Sequence, residues 1–214
     1  MRLHDDEPWM EEGEVVALTD VVDRLASTAR SHTGPFLIAL DGRSASGKTT
    51  LAARLASVTP GTVVVHTDDI AWCHSRFGWD DLLIDGIIEP LRRGEMVDYR
   101  PPAWDARGRE GSITVAAHAS VVVIEGVGAG RATIAHAVDA VIWLQSDLDE
   151  AEARDRDRVA AGEIDQLGYE GWMAEEIPFQ AEQRTWERAH AVVSGSPTVA
   201  YDPATELVLS RLTR

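Results

Sequence analysis

FLIALDGRSASGKTT, residues 36–50, decides how the rest of the chain is read. Phe36 to Leu40 is a short apolar run ending at Asp41, the pattern of a strand buried on both faces. Gly42 to Thr49 then fits G-x-x-x-x-G-K-[ST] at every position, and Lys48 to Val58 has a helical pattern. A random chain of this length matches that motif on the order of 1% of the time, before the flanking strand and helix are counted. Each residue type has a physical reason. Gly42 and Gly47 let the backbone N–H groups turn inward around an anion. The helix that begins near Lys48 aims its positive end at the same point. Lys48 reaches the β- and γ-phosphates of a nucleotide, and Thr49 offers a hydroxyl to Mg²⁺. Gly42, Ser44, Ala45, Ser46, Gly47, Lys48, Thr49 and Thr50 are the expected nucleotide-binding residues, with ATP and Mg²⁺ the expected cofactors.

Outward from this loop the chain alternates strands and helices. Residues 14–30 carry apolar positions at helical spacing and predict a helix. Thr62 to His66, Ser120 to Ile124 and Ala137 to Leu144 predict strands, as do Val192-Val193 and Thr198 to Tyr201. Residues 81–93, 147–161, 170–190 and 203–212 predict helices, and 94–112 a long loop rich in Pro, Gly, Arg and Asp. The expected fold is α/β: one P-loop NTPase domain over residues 1–214, a doubly wound, mainly parallel sheet with helices on both faces. A small helical lid is expected over about 147–180, with Gly162 and Gly168 as hinges.

Phosphoryl transfer needs more than a phosphate loop. It needs a group to receive the acceptor's proton and carboxylates around Mg²⁺, and in a doubly wound sheet these sit at the carboxyl ends of strands. Asp68-Asp69 follows one strand and either could face the γ-phosphate; helix capping is their structural alternative. Glu125-Gly126 follows another and suits Mg²⁺ or its water shell. Arg154, Arg156 and Arg158 lie on the lid helix, where guanidinium groups could stabilise a transferring phosphoryl group or only pair with Glu150, Asp155 and Asp157. Trp79, Trp104, Asp105 and Arg107 are candidates for the acceptor side, by stacking and hydroxyl hydrogen bonds, with core packing the alternative for the tryptophans.

Composition narrows the class. The formal charge is −16, a surface that repels nucleic acid and anionic membranes. The single cysteine, Cys73, forms no internal disulfide and no cysteine-based metal site. No run is long enough to span a bilayer, and the acidic residues 1–14 lack the apolar core of a signal peptide, so a cytoplasmic location is expected. Lys48 is the only lysine, every other basic side chain is arginine, and there is no asparagine. The first absence singles out Lys48 as a place needing a compact ammonium; the second removes the N-K-x-D motif that reads guanine. No periodic apolar stripe predicts an oligomer.

DGRSASGKTTLA, HTDDIAW, PPAWDARGR, VVVIEGV and ARDRD, in that order over roughly residues 36–195, resemble the uridine kinase branch of the P-loop kinases. The resemblance implies transfer of the γ-phosphate of ATP to a hydroxyl of a small molecule. It places the catalytic base on Asp68, with Thr49 and Glu125 joining it around Mg²⁺. Arg156-Asp157 matches the Arg-Asp pair of the family's lid, and Trp104 falls where the family sets an aromatic residue against the acceptor base. The family's aromatic pair after the base is here Ile70-Ala71, and the segment from Asp68 to Asp80 is shorter. The transfer machinery therefore matches more closely than the nucleoside-recognition elements. The alternative is a P-loop NTPase or nucleotide-binding switch without a phosphoryl acceptor.

Overall fold

In a computed structural model of the chain, residues 1–11, 13–28 and 34–212 are described. The elements run β1 (Glu14–Ala17), α1 (Leu18–Thr28), β2 (Phe36–Asp41), α2 (Lys48–Val58), β3 (Thr62–His66), α3 (Thr67–Ala71) and α4 (Asp80–Leu83). A π-helical turn, Ile84–Ile88, leads into α5 (Glu89–Arg92), followed by β4 (Val97–Tyr99), α6 (Pro102–Arg107), β5 (Ile113–Val115) and β6 (Val121–Glu125). The chain continues through α7 (Ala132–Ala135), β7 (Ala140–Gln145), α8 (Leu148–Ala160), α9 (Gln166–Gln183), α10 (Thr185–Arg188), β8 (Ala191–Ser194) and β9 (Glu206–Leu212).

The main sheet has the order β1-β9-β8-β7-β2-β6-β3. Its β8-β7-β2-β6-β3 portion is parallel throughout, and β9 and β1 add antiparallel at one edge. The central strands explain themselves. VVVIE of β6 and AVIWLQ of β7 are buried at every position, which only a sheet covered on both faces requires. One face packs Leu51 and Leu55 of α2 with Val21 and Leu25 of α1; the other packs Trp79, Leu83, Ile87, Trp104 and Trp186. From β2 the chain crosses to β3 on one side and later fills β7 and β8 on the other. The carboxyl end of β2 is therefore a topological switch point, where ligands bind in such sheets.

Four expectations are corrected. Residues 14–17 are a strand, so the N-terminal helix is shorter than 14–30; positions 29–30 lie outside the described residues. Residues 206–212 form β9 where a helix was expected, and 198–201 form no strand. Over windows this short, an apolar pattern fits either period, and β1 and β9 are decided by pairing with each other from Glu14↔Leu209 to Ala17↔Glu206. The stretch 94–112 is not a loop throughout: it holds β4, which pairs with β5, and α6, which begins after Pro101 with Pro102 in its first turn.

Candidate active site

The phosphate loop runs from β2 into α2. Gly47, immediately before the helix, has φ 99°, a conformation that favours glycine. Lys48 is buried, and its Nζ donates to the carbonyl of Arg43 at 2.6 Å, which folds the lysine back across the loop. Ser46 N–H donates to the same carbonyl at 3.2 Å. Thr49 and Thr50 are exposed at the start of α2. The expected loop residues thus span the turn between β2 and α2 and the first turn of α2.

Beneath the loop lies Asp41, which in the sequence is marked only as the end of a strand. It is fully buried, and its Oδ1 accepts from the N–H groups of Gly42 at 2.7 Å and Gly128 at 2.8 Å. Its Oδ2 accepts from Gly130 N–H and Thr185 Oγ1, both at 3.0 Å. Burial pushes its carboxyl above the usual range; the three glycine amides and Lys48 pull it back. One side chain therefore ties the phosphate loop to the turn after β6.

Glu125 ends β6, immediately before that turn. At Gly126 a Cβ would lie 1.7 Å from Thr67 Oγ1, so only glycine lets the turn after β6 press on the turn after β3. This approach brings the strand-end carboxylates together. Thr49 Oγ1 donates to Glu125 Oε1 at 3.1 Å, and His66 Nδ1 lies 2.5 Å from the same oxygen. That contact is the main reason the His66 imidazole is raised, favouring its protonated, donating form. Asp68 reaches solvent, yet surrounding protein crowds it. Burial, then the nearby charge of Glu125, raise its carboxyl, while Lys48 and His66 lower it. A carboxyl raised in this way beside a cation is suited to accept a proton.

The lid arginines divide. Arg154 Nη1 donates to the carbonyl of Ala45 in the loop at 2.9 Å. Arg156, the expected catalytic arginine, points away: it is exposed and pairs at 3.8 Å with Glu152 of its own helix. Arg158 pairs with Asp155 and Glu163. Helical phase is the reason, since positions two apart lie on different faces.

The tryptophans expected at the acceptor side are core residues. Trp79 is 1% exposed, with the Arg131 guanidinium 4.0 Å from its ring centre. Trp104 is 4% exposed; its indole N–H donates to the carbonyl of Asp69 at 2.8 Å, and the Arg109 guanidinium lies 3.7 Å from its ring centre. Arg109 also holds the Asp69 carboxylate at 2.5 Å. Asp105 is exposed and paired with Arg100 at 2.8 Å, and Arg107 is exposed. Neither tryptophan offers an open ring face.

Two further contacts have no signature in the sequence. Residues 1–11 lie across the loop end of the sheet. Glu7 forms a buried ion pair with Arg43 of the loop and accepts from Trp143 Nε1 at 2.7 Å and Gln145 Nε2 at 2.9 Å. From α9, Glu176 accepts from Ser44 N–H at 2.7 Å. A glutamate in an irregular terminal stretch or on a helix carries no motif, so neither partner stands out along the chain.

Beside the loop is an open cleft of about 280 Å³ whose lining includes Gly47, Thr50, Arg54, Arg154, Gly195 and Tyr201. No group of three or more His, Cys, Asp or Glu residues is placed to hold a metal among the described residues. The oxygen set of Thr49 and Glu125 nevertheless fits Mg²⁺, which takes few protein oxygens and keeps several waters.

The architecture is a doubly wound, mainly parallel α/β sheet with a glycine-rich turn after its central strand and carboxylates at or just past the ends of the two strands on one side. Solved structures agree. A protein provisionally described as a fructose transport system kinase, from Silicibacter sp. TM1040, superposes with a TM-score of 0.57 at 20% identity, over 80% of this chain and 92% of that one. The YGR205w protein superposes at 0.51 with 9% identity, over 83% and 90%. A structure provisionally described as a uridine kinase, from Bacillus stearothermophilus, covers 82% and 98% at 20% identity, but its TM-score of 0.46 supports no argument. At these identities the likeness shows the fold alone. No family model and no curated protein matches the sequence. No described helix is long and apolar enough to cross a membrane.

Proposed function

We propose that this chain is a phosphotransferase that moves the γ-phosphate of ATP to a hydroxyl of a small molecule. The observation that carries the reading is the meeting of Lys48, the Thr49–Glu125 pair and Asp68 at the carboxyl ends of β2, β3 and β6. A nucleotide switch needs the first two; a proton-accepting carboxylate beside them is what an acceptor hydroxyl needs.

The roles follow from placement. The loop amides and Lys48 hold the polyphosphate. Thr49 and Glu125 would hold Mg²⁺, which neutralises charge between the β- and γ-phosphates when bound. Asp68 takes the proton of the attacking hydroxyl, and its raised carboxyl brings its basicity nearer neutral pH. Arg154, already on the loop, supplies a guanidinium for the charge on the transferring group. The cleft bordered by Arg154 and Tyr201 has the size and the stacking groups for the donor's base. Both tryptophans lie in the core with arginines over their rings and offer no open face to an aromatic base, which favours a compact hydroxylated acceptor.

The test is release of ADP from Mg-ATP against nucleosides, sugars and other hydroxylated metabolites. Release that rises with one acceptor supports the reading, and Asp68→Asn should then lower transfer by orders of magnitude while nucleotide still binds. Fast release with no acceptor would replace it by an NTPase.

A further inference from the structure

The N–H of Ser44 is among the loop amides that a phosphate oxygen would take, yet it donates to Glu176 Oε1. Glu176 is 2% exposed. Its carboxylate also accepts from Gln180 Nε2 at 2.8 Å and from Trp172 Nε1. No arginine or lysine forms an ion pair with it among the described residues; N–H donors surround it, with the charges of Lys48 and Asp155 within electrostatic reach. Burial, and to a lesser extent the charge of Asp155, push its carboxyl up, and Lys48, Ser44 and Trp172 offset this. An anionic group on a backbone amide of this loop, facing the loop's lysine, has the chemistry of the ligand the loop is built for.

Resting on the phosphate-loop reading above, we propose that Glu176 holds the place of a phosphate oxygen in the nucleotide-free protein and is expelled when a polyphosphate enters. The carboxylate and the phosphate compete for one amide and repel each other across it, so the apparent affinity for nucleotide is set by the fraction of molecules in which Glu176 has left. The helix that carries it is built to yield. Pro178, two residues on, cannot donate to the helical ladder and crowds the preceding turn. The turn before α9 contains Gly162 at φ 74°, where even an added Cβ would meet no atom within 4 Å, so it can rearrange without a clash. Trp172 reports the event, because its indole N–H is bonded to the carboxylate that leaves.

The experiment is calorimetric titration of the full chain with Mg-ATP and, separately, with inorganic triphosphate, for wild type, Glu176→Gln and Glu176→Ala. Glutamine keeps the shape and removes the charge; alanine removes the competitor outright. Both should bind each ligand about tenfold more tightly, the difference between a charge-assisted and a neutral hydrogen bond at one amide. Indole emission should change on adding triphosphate to wild type, and the change should be absent in Trp172→Phe. Equal or weaker binding in both variants would overturn the inference and make Glu176 a prop of the loop. Absence of binding in all three proteins would overturn the phosphate-loop reading with it.

Discussion

Replacing Asp41 with asparagine should destabilise the protein by about 2–4 kcal/mol, a figure that comes from its four hydrogen bonds. Asparagine keeps one carbonyl oxygen, which can still accept from Gly42 and Gly128, but both bonds lose the charge that roughly doubles their strength. The new NH₂ faces the N–H of Gly130, which is left buried without an acceptor at a cost of about 1–3 kcal/mol. Thr185 can turn its hydroxyl, so its loss is smaller. Relief of the buried charge returns part of the total. Urea unfolding at fixed pH should show a lower midpoint with an unchanged slope. Thermal unfolding should fall by about 5–15 °C for a chain of this size. Nucleotide affinity should fall as well, because the same carboxylate seats the first residue of the loop. A loss of stability below about 1 kcal/mol would refute the argument that Asp41 joins the loop to the turn after β6.

Further expectations concern charge. Glu7→Gln leaves the Arg43 guanidinium buried without its partner and should cost about 3–5 kcal/mol by urea unfolding; a loss under about 1 kcal/mol would mean the pair does not anchor residues 1–11. The acid limb of the transfer rate should lie above the ordinary carboxylate range, because Asp68 is raised and works only when ionised, so activity falls as pH drops through its raised value. A limb at ordinary carboxylate pH would separate Asp68 from the proton transfer. Glu176 is also raised, so the folded state binds its proton more readily than the unfolded chain. Its contribution is present below the ordinary glutamate value and is lost as pH rises through the raised one. Melting temperature followed across that window should therefore fall less with pH in Glu176→Gln than in wild type; parallel curves would refute this.

The strand–turn–helix carrying residues 42–49 is legible in the sequence because its requirements are local. A strand, two glycines, a lysine and a helix start are adjacent along the chain, and their backbone geometry depends little on the rest of the molecule. Asp68 and Glu125 are legible for a related reason: each follows or ends a run apolar enough to be a central strand, and strand ends in a parallel sheet face one side. Trp79 and Trp104 are not acceptor-facing, against expectation, because an aromatic side chain reads alike whether it stacks on a ligand or in a core; Arg131 and Arg109, distant in sequence from at least one partner each, cover them. Arg154 rather than Arg156 touches the loop because the rotational phase of α8 against the loop is set by packing, not by the sequence of α8.

Short segments were thus enough to specify a doubly wound sheet, a strand–turn–helix around residues 42–49 and carboxylates at the ends of the neighbouring strands. The assembled fold was needed for the antiparallel edge of β1 and β9, the four-donor seat of Asp41, the Glu7–Arg43 pair and the Glu176 contact on Ser44. Each of these joins residues far apart in the chain, where no periodicity or motif records the partner and burial is what favours pairing the polar groups.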